Sequence, residues 1–128
     1  MLTEYTIGDH VSVRMGLIGK SQRFYFDVDG KVFGMHLSMY EVAEIVKELN
    51  RYMKWGLYHP VRWEREKTFY TIDLFENSGK TRIKLTSCDN SNVHNFNEVW
   101  FDITIDELNQ WLLNIVRFKW EDVPQDGE

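Results

Sequence analysis

Residues 38–52 (SMYEVAEIVKELNRY) and 104–118 (TIDELNQWLLNIVRF) repeat one another. Each begins with a hydroxyl residue followed three positions later by glutamate, Ser38 with Glu41 and Thr104 with Glu107. In such a capping box the hydroxyl and the carboxylate accept from two backbone N–H groups that a helix start leaves without partners. An apolar residue precedes each cap and another stands at the fourth helical position, Leu37 with Val42 and Ile103 with Leu108, forming a hydrophobic staple. The offset of 66 residues (104 − 38) continues inward, pairing Val42 with Leu108, Ile45 with Trp111, Val46 with Leu112, Leu49 with Ile115 and Tyr52 with Phe118. These positions obey the i, i+3, i+4, i+7 rule, so each helix carries one apolar stripe that must be buried. Each helix also follows alternating, strand-like runs. A duplicated unit of strands closed by one helix accounts for both observations.

The alternation assigns faces. Val11, Val13 and Met15 oppose Ser12, Arg14 and Gly16; Phe24, Phe26 and Val28 oppose Arg23, Tyr25 and Asp27. Asp29-Gly30 suits a type I′ hairpin turn, after which Phe33, Met35 and Leu37 point inward. In the second half, 61–66 reads as a strand, and Tyr70, Ile72 and Leu74 oppose Phe69, Thr71, Asp73 and Phe75. Ile83 and Leu85 oppose Arg82 and Lys84, and Val99, Phe101 and Ile103 oppose Trp100 and Asp102. Residues 2–7 read as a weak extended lead-in, so the first unit is expected to lack one strand. The polar run 88–97 (CDNSNVHNFN) reads as a long mobile loop. The fold class expected is therefore α+β: two repeated β-β-(β)-β-α units, six or seven antiparallel strands in a curved sheet, and two helices packed on one face.

At 128 residues the chain has the size of one domain with a real core. That domain is expected over 1–120, with repeats at about 8–53 and 60–119, followed by an acidic disordered tail at 121–128. The tail holds four of the 20 acidic residues and no Lys or Arg, so the net charge of −5 falls to −1 in the body. The overall charge argues against a generally adhesive nucleic-acid binder. A lone Cys88 excludes an internal disulfide framework and Cys-pair zinc motifs, and no apolar run has spanning length, so a cytoplasmic, reducing setting is expected.

Catalysis finds little footing. His10, His36, His59 and His94 show no metal-binding spacing, and there is no P-loop, GxGxxG or GxSxG, so neither metal nor cofactor is expected. Cys88 and His94 share one polar run but lack a third orienting group. Asp73, Glu98 and Asp102 would suit a metal-dependent nuclease if they clustered, although solvated strand charges explain the spacing more simply. The expectation is a protein that is not an enzyme.

The segment KTFYTIDLFENSGKTRIKLTS, a polar stretch, then NEVWFDITIDELNQWLLNIV resembles the repeat of the Pur-alpha family, and is similar to the whirly and positive-cofactor-four single-strand binders. The shared order is aromatic strand, turn, basic strand, loop, aromatic strand and Ser/Thr-capped helix. The resemblance implies a curved antiparallel sheet backed by helices, often paired between units or chains, whose open face binds single-stranded DNA or RNA. Carried over by position, the outward residues are Arg23, Tyr25, Phe69, Arg82, Lys84 and Trp100; Asp27, Asp73 and Asp102 share that face. The residues themselves point the same way: Tyr25, Phe69 and Trp100 offer rings for bases, and Arg14, Arg23, Arg82 and Lys84 offer charge for phosphates. The alternative is a protein–protein module, a small inhibitor or regulator that docks on a partner through the same aromatic face. A homodimer and a regulatory role fit either reading.

Overall fold

In the computed structural model of the chain, residues 2–18, 21–117 and 125–126 are described. They form the four-strand-plus-helix unit twice. The first comprises β1 (Leu2–Ile7), β2 (Val11–Ile18), β3 (Ser21–Val28), β4 (Lys31–Leu37) and α1 (Met39–Trp55); the second comprises β5 (Val61–Arg65), β6 (Thr68–Asn77), β7 (Lys80–Asp89), β8 (Asn92–Ile103) and α2 (Ile105–Arg117). Each set of four strands is an antiparallel meander, and the two meanders are separate sheets in the orders β1-β2-β3-β4 and β5-β6-β7-β8. The α+β class and the repeated unit are as the sequence indicates. A two-residue strand, β9 (Gln125–Asp126), runs parallel to the end of β2. The rest of the acidic stretch expected to be disordered lies outside the described residues.

Two expectations are corrected. Residues 2–7 are a full strand, in register with β2 from Leu2 opposite Gly16 to Ile7 opposite Val11, so the first unit lacks nothing. Neither is 88–97 a loop. It continues β7 and β8 as a hairpin arm, with Cys88 opposite Phe96 and an irregularity between Cys88 and Asp89. Backbone ladders form without apolar side chains, and the tip closes locally. The Asp89 carboxylate accepts from the Ser91 backbone N–H at 2.8 Å and from its hydroxyl at 2.7 Å, while Asn90 N–H donates to the Lys67 carbonyl at 2.7 Å.

The ladders show where the two units differ in length. Phe26 faces Phe33 in the first unit as Leu85 faces Val99 in the second. The leading members of these pairs lie 59 residues apart (85 − 26) and the trailing members 66 (99 − 33), so the second hairpin is longer by seven residues at its tip.

Both predicted caps are present. In α1 the Tyr40 N–H donates to Ser38 Oγ, and Glu41 accepts from the Ser38 N–H at 3.2 Å. In α2 the Glu107 N–H donates to Thr104 Oγ1 at 3.1 Å, and Glu107 accepts from the Thr104 N–H at 2.8 Å. Gly56, at φ 68°, ends α1 in the left-handed region that glycine occupies without strain.

Each helix spans both units, α2 lying against β7 of its own unit as well as β1 of the other. α1 lies against β5 as well as β4, and its Tyr52 hydroxyl meets Thr81 Oγ1 of β7 at 3.4 Å. α2 lies against β1, and its Trp111 packs edge-on to Phe26 of β3 with ring centroids 5.8 Å apart. The two helices also touch each other. A single core results, with Trp111, Phe24, Phe26, Ile45, Leu49, Ile72, Ile83 and Leu85 all removed from water. The sheets meet where the Trp63 indole N–H donates to the His36 carbonyl at 2.7 Å. Among the described residues no helix is long and apolar enough to cross a membrane.

Candidate binding surface

Successive strand side chains point to opposite faces. Burying Tyr70, Ile72, Leu74, Ile83, Leu85, Val99 and Phe101 therefore sends their neighbours to the outer face of the β5–β8 sheet. The register arranges that face in rows: Glu64, Phe69, Cys88 and Phe96; then Arg62, Thr71, Thr86 and Glu98; then Asp73, Lys84 and Trp100; then Phe75, Arg82 and Asp102. Four rings stand on it half-exposed: Phe69 at 46%, Phe75 at 45%, Phe96 at 54% and Trp100 at 50%. Phe96 lies outside the platform expected from the sequence because the polar run around it reads as a loop. The alternation Phe96, Glu98, Trp100, Asp102 was the available signal.

The cations between the rings are engaged. Arg82 donates from Nε to Asp102 Oδ1 at 2.9 Å and from Nη2 to Oδ2 at 3.1 Å, and its guanidinium lies 4.0 Å from the Trp100 ring centroid. This paired contact raises the Arg82 pKa and holds the Asp102 carboxyl below its usual range. Lys84 Nζ sits 3.2 Å from Glu98. Across the rows and their ends, Arg62, Lys80, Arg82 and Lys84 face Glu64, Asp73, Glu98 and Asp102, so the formal charges balance.

Arg14 and Tyr25 belong to the other sheet. They are cross-strand partners, with the guanidinium 5.2 Å from the phenol ring centroid. Tyr25 lies over Gly34, where an added Cβ would come within 3.0 Å of the ring. The missing Cβ leaves room for the ring to approach that closely. Beside the pair is a hollow of about 230 Å³ lined by Glu4, Ser12, Asp27 and Val32.

Arg23 sits apart from both groups, opposite His36 where the two sheets meet. The His36 ring stacks on Tyr70 of the second sheet with centroids 6.3 Å apart, and Tyr70 stacks on Trp63 at 5.3 Å. Burial pushes the His36 pKa down and the charge of Arg23 pushes it further; Glu66 opposes with a smaller effect than Arg23, and Arg65 adds a lesser push downward. Burial likewise raises the Tyr70 phenol. The seven residues expected on one platform thus occupy three places: Phe69, Arg82, Lys84 and Trp100 on the second sheet, Arg14 and Tyr25 on the first, and Arg23 at their junction. The single-platform arrangement expected from the sequence is not formed. Two sheets replace the one sheet that a shared outward face required.

A cleft of about 470 Å³ runs beside Trp100, between the β1–β2 turn and β8; Asp9, His10, Asp29, Lys80, Asp102 and Glu107 line it. Among the described residues no three acidic, histidine or cysteine side chains are grouped to hold a metal ion. The Asp73, Glu98 and Asp102 trio considered for a nuclease is divided in practice, since Asp102 is bound by Arg82 and Glu98 by Lys84. The Cys88 thiol approaches the Asp89 carbonyl at 3.7 Å, and the neighbouring His94 is exposed. No protein-family model matches the chain, and no curated protein matches it at a significant level.

Proposed function

We propose that the protein binds single-stranded DNA or RNA without catalysis, laying bases across the outer face of the β5–β8 sheet. The observation that carries this reading is the group of four half-exposed rings, Phe69, Phe75, Phe96 and Trp100, on one solvent face. Each base stacked on such a ring gains roughly 1–3 kcal/mol, whatever its sequence. The twice-repeated sheet and helix support it too, being the frame on which the likeness to Pur-alpha and whirly proteins rests. Arg82, fixed by Asp102, orients the Trp100 ring more than it neutralises phosphate. Stacking thus dominates, and the log–log salt slope should be shallow, about −0.7 per phosphate contacted.

Fluorescence anisotropy with labelled oligo-dT and oligo-U at low and moderate salt tests the reading. Saturable binding that weakens with salt is expected; no binding at low salt overturns it. One observation favours a second reading, in which the face docks on a protein partner as an inhibitor or regulator does. Its charges are balanced by internal pairs, which suits burial against protein better than contact with phosphates. Binding of a protein in place of an oligonucleotide, insensitive to salt, would select that alternative. A cytoplasmic setting and a homodimer fit both readings, and a dimer would double the aromatic surface.

A further inference from the structure

Arg23 and Arg82 occupy equivalent strand positions. Arg23 faces His36 across β3 and β4 as Arg82 faces Asp102 across β7 and β8. In the second unit the carboxylate closes on the guanidinium through two hydrogen bonds. In the first unit histidine stands where that carboxylate would be, and no hydrogen bond or ion pair joins Arg23 to any described residue. Its Nε is buried and has no acceptor.

A buried polar group without a partner costs about 1–3 kcal/mol, so an arginine whose Nε is left in this state invites an acceptor from outside. The surroundings favour an anion. Arg23 acts against protonation of His36 more strongly than Glu66 favours it, and Arg65 adds to Arg23. Of the nearby carboxylates, Glu41 is held by Arg65 at 2.8 Å. Glu66 is largely exposed and only 3.9 Å from His36 Nδ1.

We propose that Arg23 is the seat of a phosphate site, walled by the stacked His36 and Tyr70 rings, that anchors the backbone of a strand bound on the second sheet. The proposal rests on the single-strand reading, and placement supports the link. Tyr70 follows Phe69 in β6, so the site lies at the Phe69–Phe96 end of the aromatic face. Because Tyr70 points to the opposite face from Phe69, a strand leaving the Phe69 ring would round the β5–β6 turn to reach the junction. The planar fork of arginine matches a phosphate's oxygens as it matches a carboxylate's, so an arginine at this end that no carboxylate closes supplies the charge that Arg82 and Lys84, already engaged, do not.

The test has two arms. Inorganic phosphate is titrated into the wild-type protein while the arginine Nε–H signals are followed by nuclear magnetic resonance, with Arg23→Lys identifying the Arg23 signal by its absence. A saturable shift of that signal is expected; no shift at tens of millimolar phosphate overturns the site. In the second arm, oligo-dT affinity is compared for wild type, Arg23→Gln and Arg82→Gln. Arg23→Gln should weaken binding at least fivefold and flatten the salt slope by about 0.7, with a smaller change for Arg82→Gln. Equal binding by wild type and Arg23→Gln overturns the anchoring role. If the wild type binds phosphate at Arg23 but no oligonucleotide, the site stands and the single-strand reading falls.

Discussion

Trp100 and Arg82 behave as one unit, because the guanidinium packs on the indole while Asp102 fixes its plane. Trp100→Ala should therefore lower oligonucleotide affinity by about 5- to 100-fold, the equivalent of one lost stacking contact, with an unchanged circular dichroism spectrum. Asp102→Asn acts oppositely. It releases Arg82 and removes one negative charge, so oligonucleotide affinity should rise and the salt slope steepen, a result anisotropy reads directly. A protein partner selected by balanced charge would be bound less well by the same variant. His36 supplies a pH test. Its folded pKa lies below the ordinary value of 6.5, chiefly through burial and secondarily through Arg23 and Arg65. Between those two values the unfolded chain binds more protons, so stability is full above 6.5 and declines as pH falls toward the folded pKa. Urea midpoints at pH 7.5 and 5.5 should differ by less in His36→Gln than in wild type. The outward positions of Arg82, Lys84 and Trp100 were legible because alternation is local. Their pairing with Asp102 and Glu98 was not, since register across β7 and β8 decides it.

Both helix starts were legible to the residue, because a capping box is complete within four positions and needs nothing distant. Ser38→Ala should cost about 1 kcal/mol of stability, visible as a lowered urea midpoint with unchanged cooperativity. Gly8 is a different kind of constraint. Its φ of +61° is strained for any side chain, and an added Cβ would stand 2.5 Å from Glu107 Oε2, the carboxylate that caps α2. Gly8→Ala should thus destabilise by more than a surface alanine does, through the turn and the cap together, and Glu107→Ala in the same background should recover none of the turn strain. The extended β7–β8 arm escaped the sequence reading for a plain reason. Residues that bury nothing carry no hydrophobic period, and only the pairing of Cys88 with Phe96 and the Asp89 turn define it. The same weakness of pattern hid β1, whose described side chains pack on the core through Tyr5 and Ile7.

Periodicity established that each helix must bury a stripe, but not on which sheet. The answer, both sheets, is a property of the whole chain: Trp111 of α2 packs on the first sheet at Phe26, and Tyr52 of α1 reaches β7. Neither unit can then cover its own apolar face with its own helix alone. A fragment of residues 1–60 should accordingly be unfolded or self-associated, never a folded monomer, and sedimentation with far-ultraviolet circular dichroism separates these outcomes. A chain of one such unit would be complete only with a second copy of itself, each lending its helix to the other. The short 56–60 connection makes that partnership permanent within one chain, whose two copies are free to differ: one closes its arginine with aspartate, the other holds an arginine open, and one hairpin is seven residues longer than its twin.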